Sequence, residues 1–139
     1  MKFLFNANAT YLNFGLLFLR VMIGASFIYN HGYNKITHPE KWKDLGGSMS
    51  LLNIHFTPEL WGFMAAFAEF FGASFLILGL FSRLVALMLA FTMLVAFLGG
   101  FADKEFNSYA FGMMIVFISL IIIGPGKFSL DAKIGGFKK

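Results

Sequence analysis

Four long apolar runs dominate this chain and leave it few folds to choose from. Residues 84–102 are 19 consecutive uncharged residues, and residues 106–126 are 21. A membrane-crossing helix needs about 20 predominantly apolar residues, so both runs are long enough. Residues 12–29 and 60–81 qualify as well if each is allowed one charge, Arg20 in the first and Glu69 in the second. The runs are continuous and do not alternate with period two, which argues against a β-barrel. Hydrophobic residues make up 58% of the 139-residue chain and charged residues 13%. A soluble domain of this size leaves too much of its surface exposed to hide that much apolar material. The expected fold is therefore all-α: one integral membrane four-helix bundle over residues 1–139, with spans near 12–30, 60–81, 84–101 and 108–123.

The connections are unequal. Residues 82–83 form a very short turn and residues 102–108 a short polar one, whereas residues 31–59 form a long mixed connection. Within that connection, Leu45, Met49 and Leu52 in "LGGSMSLLNIHF" fall at i, i+4 and i+7. This spacing predicts a short amphipathic helix on the outer membrane face or capping the bundle. Four spans put both termini on one side with Lys2, Arg83, Lys127, Lys133, Lys138 and Lys139, against Lys35, Lys41, Lys43 and Lys104 on the other. The bias favours cytoplasmic termini. The N-terminus does not read as a cleavable signal, because Arg20 interrupts the apolar region and no small-residue cleavage site follows. In "IIIGPGKFSLD", Gly124 and Pro125 stop the last helix and Lys127 and Lys133 face lipid headgroups.

Chemistry-bearing residues are few. The chain has no cysteine, which excludes disulfides, thiolate metal sites and iron–sulfur clusters within it. Arg20 and Glu69 each lie near the middle of a span, where an unpaired charge costs roughly 2.5–3.5 kcal/mol. Counted from the ends of their runs, their depths differ by only ~6 Å, within reach of an arginine fork. Glu69 shares a helical stripe with Gly62, Ala65, Ala66, Gly72 and Ala73, small residues that let a neighbour approach. Arg20 shares one with Asn13, Gly24 and His31. The two charges are therefore expected to form an intramembrane ion pair, acting either as a register device or as a ligand, proton or quinone site.

"YNHGYNK" (residues 29–35) follows the first span. Gly32 is expected to end the helix, leaving His31 and Lys35 near the outer interface. His31 can shuttle a proton, but the simpler reading is an interfacial belt in which Tyr29 and Tyr33 anchor and Lys35 snorkels. The spacings of His31, His38 and His55 match no common metal-ligand motif, so no metal site is expected. A haem bundle needs an axial ligand at bundle depth, and all three histidines lie outside the apolar runs. Thr92 and Gly99, and Gly112 and Ser119, recur at seven-residue spacing on the last two spans, which fits helix packing. No cofactor is evident from the residues themselves: the twenty phenylalanines are expected to face lipid and core, with an aromatic-lined quinone groove as the alternative.

Three segments together resemble the DoxX family of small membrane proteins: "LLFLRVMIGASFIYNHGYNK" (16–35), "FAEFFGASFLILGLFSRLVAL" (67–87) and "IGPGKFSLD" (123–131). The resemblance implies a four-helix protein of the bacterial inner membrane, and it marks Arg20, His31, Lys35, Glu69, Arg83 and Asp131 as family-pattern positions. It also implies association with quinone-linked sulfur oxidation or with membrane complexes that handle oxidative stress. The expected function is an accessory membrane subunit of a redox- or quinone-linked complex, its partners the bilayer and either further copies or other membrane or periplasmic subunits. A small proton- or solute-coupled transporter and a structural anchor or assembly factor are the alternatives. No nucleophile–base pair or nucleotide loop points to a self-contained enzyme. The net charge of +4 is spread around the spans, as topology requires, so nucleic acid is not an expected partner.

Overall fold

The computed structural model describes residues 8–135; Lys2, Lys138 and Lys139, which count toward the orientation, lie outside the described residues. Helix α1 runs over Ala9–Thr37, α3 over Pro58–Leu78 and α4 over Ser82–Ala102, each long and apolar enough to cross a membrane. Helix α5, Ser108–Ile123, is apolar but has 16 residues, about 24 Å of rise. Among the described residues there are also two short α-helices, α2 over Trp42–Gly47 and α6 over Leu130–Ile134. Among the described residues there is no strand. The all-α expectation and the placement of the apolar runs in helices both hold.

The helix ends follow from local chemistry. Asn8, Asn107 and Ser129 cap α1, α5 and α6, their side chains accepting from Thr10, Ala110 and Ala132 N–H respectively. Gly124, at φ 88°, ends α5 where Pro125 forbids another turn. Helix α4 packs along α5, and α1 packs against the later half of α3. Between them lies an apolar core that includes Leu16, Phe27, Leu76, Leu89, Phe117 and Leu120.

Two expectations change here. Gly32 does not end the first helix. Residues Ile28–Gly32 form a π turn and the helix continues to Thr37. Gly32 is needed for contact: a Cβ there would lie 2.5 Å from the backbone oxygen of Glu69. The segment 45–56 is also not one helix. The α-helical turn stops at Gly47, a 3-10 turn spans Ser48–Leu52, and Asn53 turns the chain at φ 61°. Leu45 is half-buried and Met49 buried, because α2 is pressed onto α3: a Cβ on Gly46 or on Gly62 would collide with the backbone oxygen of Pro58 or of Trp42. The connection thus caps the bundle end.

Candidate functional site

The π turn in α1 faces a second π turn in α3, Ala68–Gly72. In each, one N–H reaches back five residues, from Tyr33 to Ile28 and from Ala73 to Ala68. Such single wide turns inside α-helices are rare and concentrate at functional sites. These two carry His31 and Glu69. One turn further along α1, on the same face as His31, stands Lys35.

Lys35 is the partner of Glu69. Its ammonium lies 2.6 Å from Oε2 and donates to Oε1 at 2.7 Å. Glu69 is 1% exposed and Lys35 26%, so the pair reaches from the helix interior toward the end that carries the long connection. Beside it, His31 Nε2 and the Tyr109 hydroxyl are 3.1 Å apart. The His31 ring sits between Phe27 and Tyr109, its centroid 5.4 Å and 5.5 Å from theirs. Trp42 Nε1 donates to the Lys35 carbonyl at 2.8 Å, tying α2 to the end of α1.

His31, Lys35, Glu69 and Tyr109 line a cavity of about 270 Å³. The long connection supplies its roof through Leu45, Gly46 and Met49, α3 one wall through Trp61, Met64 and Ala65, and α4 another through Met88, Phe91 and Met93. An apolar chamber with a few convergent polar groups is the usual form of a small-molecule site. Trp61 Nε1 is buried and has no hydrogen-bond acceptor. A second, polar cleft of about 460 Å³ adjoins the chamber through Ser48, Val95, Ala96, Asn107 and Tyr109, and adds Asp103 and Glu105.

The expected Arg20–Glu69 ion pair does not form. Arg20 is buried, 1% exposed, but faces the opposite end of the bundle. Its Nη2 donates to the Phe128 carbonyl at 2.8 Å and its Nε to the Leu16 carbonyl at 3.4 Å. The interhelical register explains the difference. Gly32 meets Glu69, Gly24 meets Ala73 and Ile77, and Arg20 meets Gly79. Twelve residues separate Arg20 from Gly32 and ten separate Glu69 from Gly79, which puts the charges about 15–18 Å apart along the helices. The ends of the two apolar runs are not level: the first turns of α1 extend past the end of α3 and pack against the C-terminal segment. There Asn13 Oδ1 accepts from Lys127 N–H at 2.7 Å, while its Nδ2 donates to the Ala9 carbonyl.

Asp131 completes this second cluster. Its carboxylate accepts from Phe81 and Ser82 N–H, both at 2.8 Å, and its own N–H donates to the Gly79 carbonyl at 2.9 Å. It therefore caps the start of α4 from a distant part of the chain. Burial pushes its pKa up, but the Ser82 and Phe81 N–H groups and the Arg20 charge outweigh that and hold it below the ordinary carboxylate value. Gly79 leaves room for Arg20, since a Cβ there would collide with Nη1. Arg83 lies beside Gly124 at the end of α5, where a cation complements the helix dipole.

Of the expected site residues, the structure brings His31, Lys35 and Glu69 together at the cavity. It gathers Arg20, Asn13 and Asp131 at the opposite end, and leaves Arg83 at the α5 terminus. Tyr109, Trp61, Met64, Met88 and Met93 went unread in the sequence, whereas Met49 was read only as part of the amphipathic segment. The one available signal was the i, i+4 spacing of His31 and Lys35, which becomes informative once the helix is known to run past Gly32.

Long apolar helices around a buried ion pair define a multi-pass helical membrane protein. A family model for DoxX matches residues 15–102, the stretch that carries Arg20, both π turns, Lys35, Glu69 and Arg83; the chain belongs to the DoxX family. Comparison with curated proteins and with solved structures gives no match.

Proposed function

We propose that this protein is the membrane-embedded, ligand-binding subunit of a redox-linked complex, and that its cavity takes the head ring of a quinone. The observation that carries the reading is the chamber itself, apolar-walled, about 270 Å³, with the Lys35–Glu69 ion pair and the His31–Tyr109 contact at one side. The volume is near the small end for ligand sites, about 300–1,000 Å³, and suits a single substituted ring. The walls fit that group: thioether and aromatic side chains offer polarisable surface, and the polar groups cluster at one place. A bound quinone would supply two-electron, two-proton carrier chemistry.

The chain's own residues would bind and orient the ring and exchange protons with it. Lys35 directs N–H donors at a ring oxygen while Glu69 keeps the pair neutral overall, which favours an uncharged ligand over an ion. Tyr109 and His31 offer a proton route from the chamber toward the polar cleft beside Asp103 and Glu105. In this reading α5 is the fourth crossing, the termini are cytoplasmic in a bacterial inner membrane, and the cavity lies under the outer face, where periplasmic or membrane partners dock. Transport is disfavoured by the close α1–α3 contact at Gly24, Ala73 and Ile77, which fills the space between the two charge clusters.

Purification in mild detergent followed by mass spectrometry tests the reading. A quinone and at least one other subunit should copurify with the wild-type chain, and the quinone should be lost from Lys35→Met. A chain that isolates alone and without quinone contradicts it.

A further inference from the structure

The exposed residues that line the chamber fall into two groups of different chemistry. Ser48, Ala96 and Tyr109 border the polar cleft. Met64 of α3, 43% exposed, and Phe91 of α4, 40% exposed, are apolar and have no part in that cleft. The backbone explains why the chamber is open on this second side. Helix α4 packs against the π turn Ala68–Gly72 and the last turns of α3, Ala73–Leu78, and not along its first ten residues, Pro58–Phe67. The two helices therefore part beyond the π turn, and the chamber fills the gap under its roof. Met64 and Phe91 stand at nearly one level on the two sides of that gap. A Cβ on Gly72 would touch Val85 Cγ1 at 3.5 Å, which sets the register. From there Met64 lies eight residues along α3 and Phe91 six along α4 in the same direction, axial rises of about 12 Å and 9 Å. The surface outside is apolar too: Phe71 and Leu78 on α3, and Leu84 and Leu87 on α4, are exposed. On membrane-crossing helices such a surface meets lipid tails, which are as apolar as leucine.

We infer that the chamber opens into the bilayer between Met64 and Phe91, and that its ligand is a membrane-dissolved quinone whose apolar chain leaves by this mouth while the ring stays inside. This rests on the quinone reading and adds the class of quinone. The chamber, at about 270 Å³, is filled by one ring, so a chain attached to that ring has to leave it. Through the cleft the chain would lie against Asp103, Glu105 and water, where its exposed apolar surface is penalised. Between Met64 and Phe91 it stays among apolar side chains and lipid. The two openings then have separate uses: the quinone arrives from the lipid, and the cleft serves the protons.

The test uses the full wild-type chain in lipid nanodiscs and a decyl-tailed benzoquinone that carries a diazirine on the chain close to the ring. After irradiation, peptide mass spectrometry locates the label. It should fall on Met64 and Phe91, and an excess of tailless benzoquinone should reduce it to background. Competable label on Ser48, Ala96 or Tyr109 instead, or saturable binding of the probe with no competable label at Met64 or Phe91, overturns the inference and leaves the quinone reading intact. If neither the tailed nor the tailless quinone binds saturably, both fall. A second measurement narrows the mouth. Met64→Trp should weaken the tailed quinone about fivefold relative to the tailless one, the effect of one overpacked contact on the chain alone. An equal effect on the two quinones overturns the inference as well. The wild-type labelling decides the matter even if Met64→Trp folds poorly.

Discussion

Substituting Lys35 by Met keeps the length of the side chain and removes its charge. At the 2.6 Å separation from Glu69 and an effective dielectric near 20, the gross attraction is about 6 kcal/mol. Desolvation of the buried carboxylate cancels much of this, so the net coupling should be about 1–3 kcal/mol. Lys35→Met alone leaves the Glu69 charge stranded, a loss that runs from about 3 to 5 kcal/mol for buried pairs. The low end applies here, because Lys35 is 26% exposed and water already reaches its side of the pair. Glu69→Gln removes the stranded charge, so the double variant should recover much of the loss. The assay is SDS-driven unfolding in mixed micelles, followed by helical circular dichroism across the double-mutant cycle. A Lys35–Glu69 coupling below about 0.5 kcal/mol refutes the pairing. A parallel cycle on Arg20→Met and Glu69→Gln should be additive to within about 0.5 kcal/mol, because those side chains share no partner.

Gly32→Ala should destabilise the fold by about 1–3 kcal/mol, since its Cβ would press on the Glu69 backbone at 2.5 Å in a closely packed contact. Gly15→Ala, with open space around the new methyl, should be neutral or stabilising by up to about 1 kcal/mol; the same unfolding titration checks both. Asp131→Asn should cost about 1–2 kcal/mol through the weakened cap on α4. Because the Asp131 pKa is depressed in the fold, its contribution is fully present above the ordinary carboxylate value near 3.9 and is lost as pH falls through the lower folded value. Unfolding curves of the wild type and Asp131→Asn should therefore converge at acid pH and separate above about pH 4.

The apolar runs made the helices legible, because length and uncharged composition are nearly sufficient for a membrane-crossing segment. The small-residue stripe around Glu69 also pointed correctly, since Gly62, Ala66, Gly72 and Ala73 are all buried. The pairing of the two charges was not legible. It depends on interhelical register, and that is set by contacts distant in sequence: Gly32 on Glu69, Gly79 on Arg20, and Gly126 against Leu16. Gly32 carried an ambiguous signal, for glycine serves both as a helix stop and as a point of close approach, and only the neighbouring helix decides between them. Asp131 was legible as a patterned residue, but its cap on α4 spans fifty positions of chain and leaves no local trace. The chamber could not be read at all, since Trp61, Met88 and Tyr109 come from three different helices and look like ordinary membrane residues one at a time.

The central claim is that the Lys35–Glu69 chamber binds a quinone ring. Titrating the purified protein in detergent with a short-tailed benzoquinone, by isothermal calorimetry on the wild type and on Lys35→Met, tests it most directly. The account predicts saturable binding at one site per chain, weakened at least tenfold by the substitution, as the loss of a charge-assisted hydrogen bond of about 1.5–3 kcal/mol requires. Absence of saturable binding, or binding that is the same with Met at position 35, contradicts it.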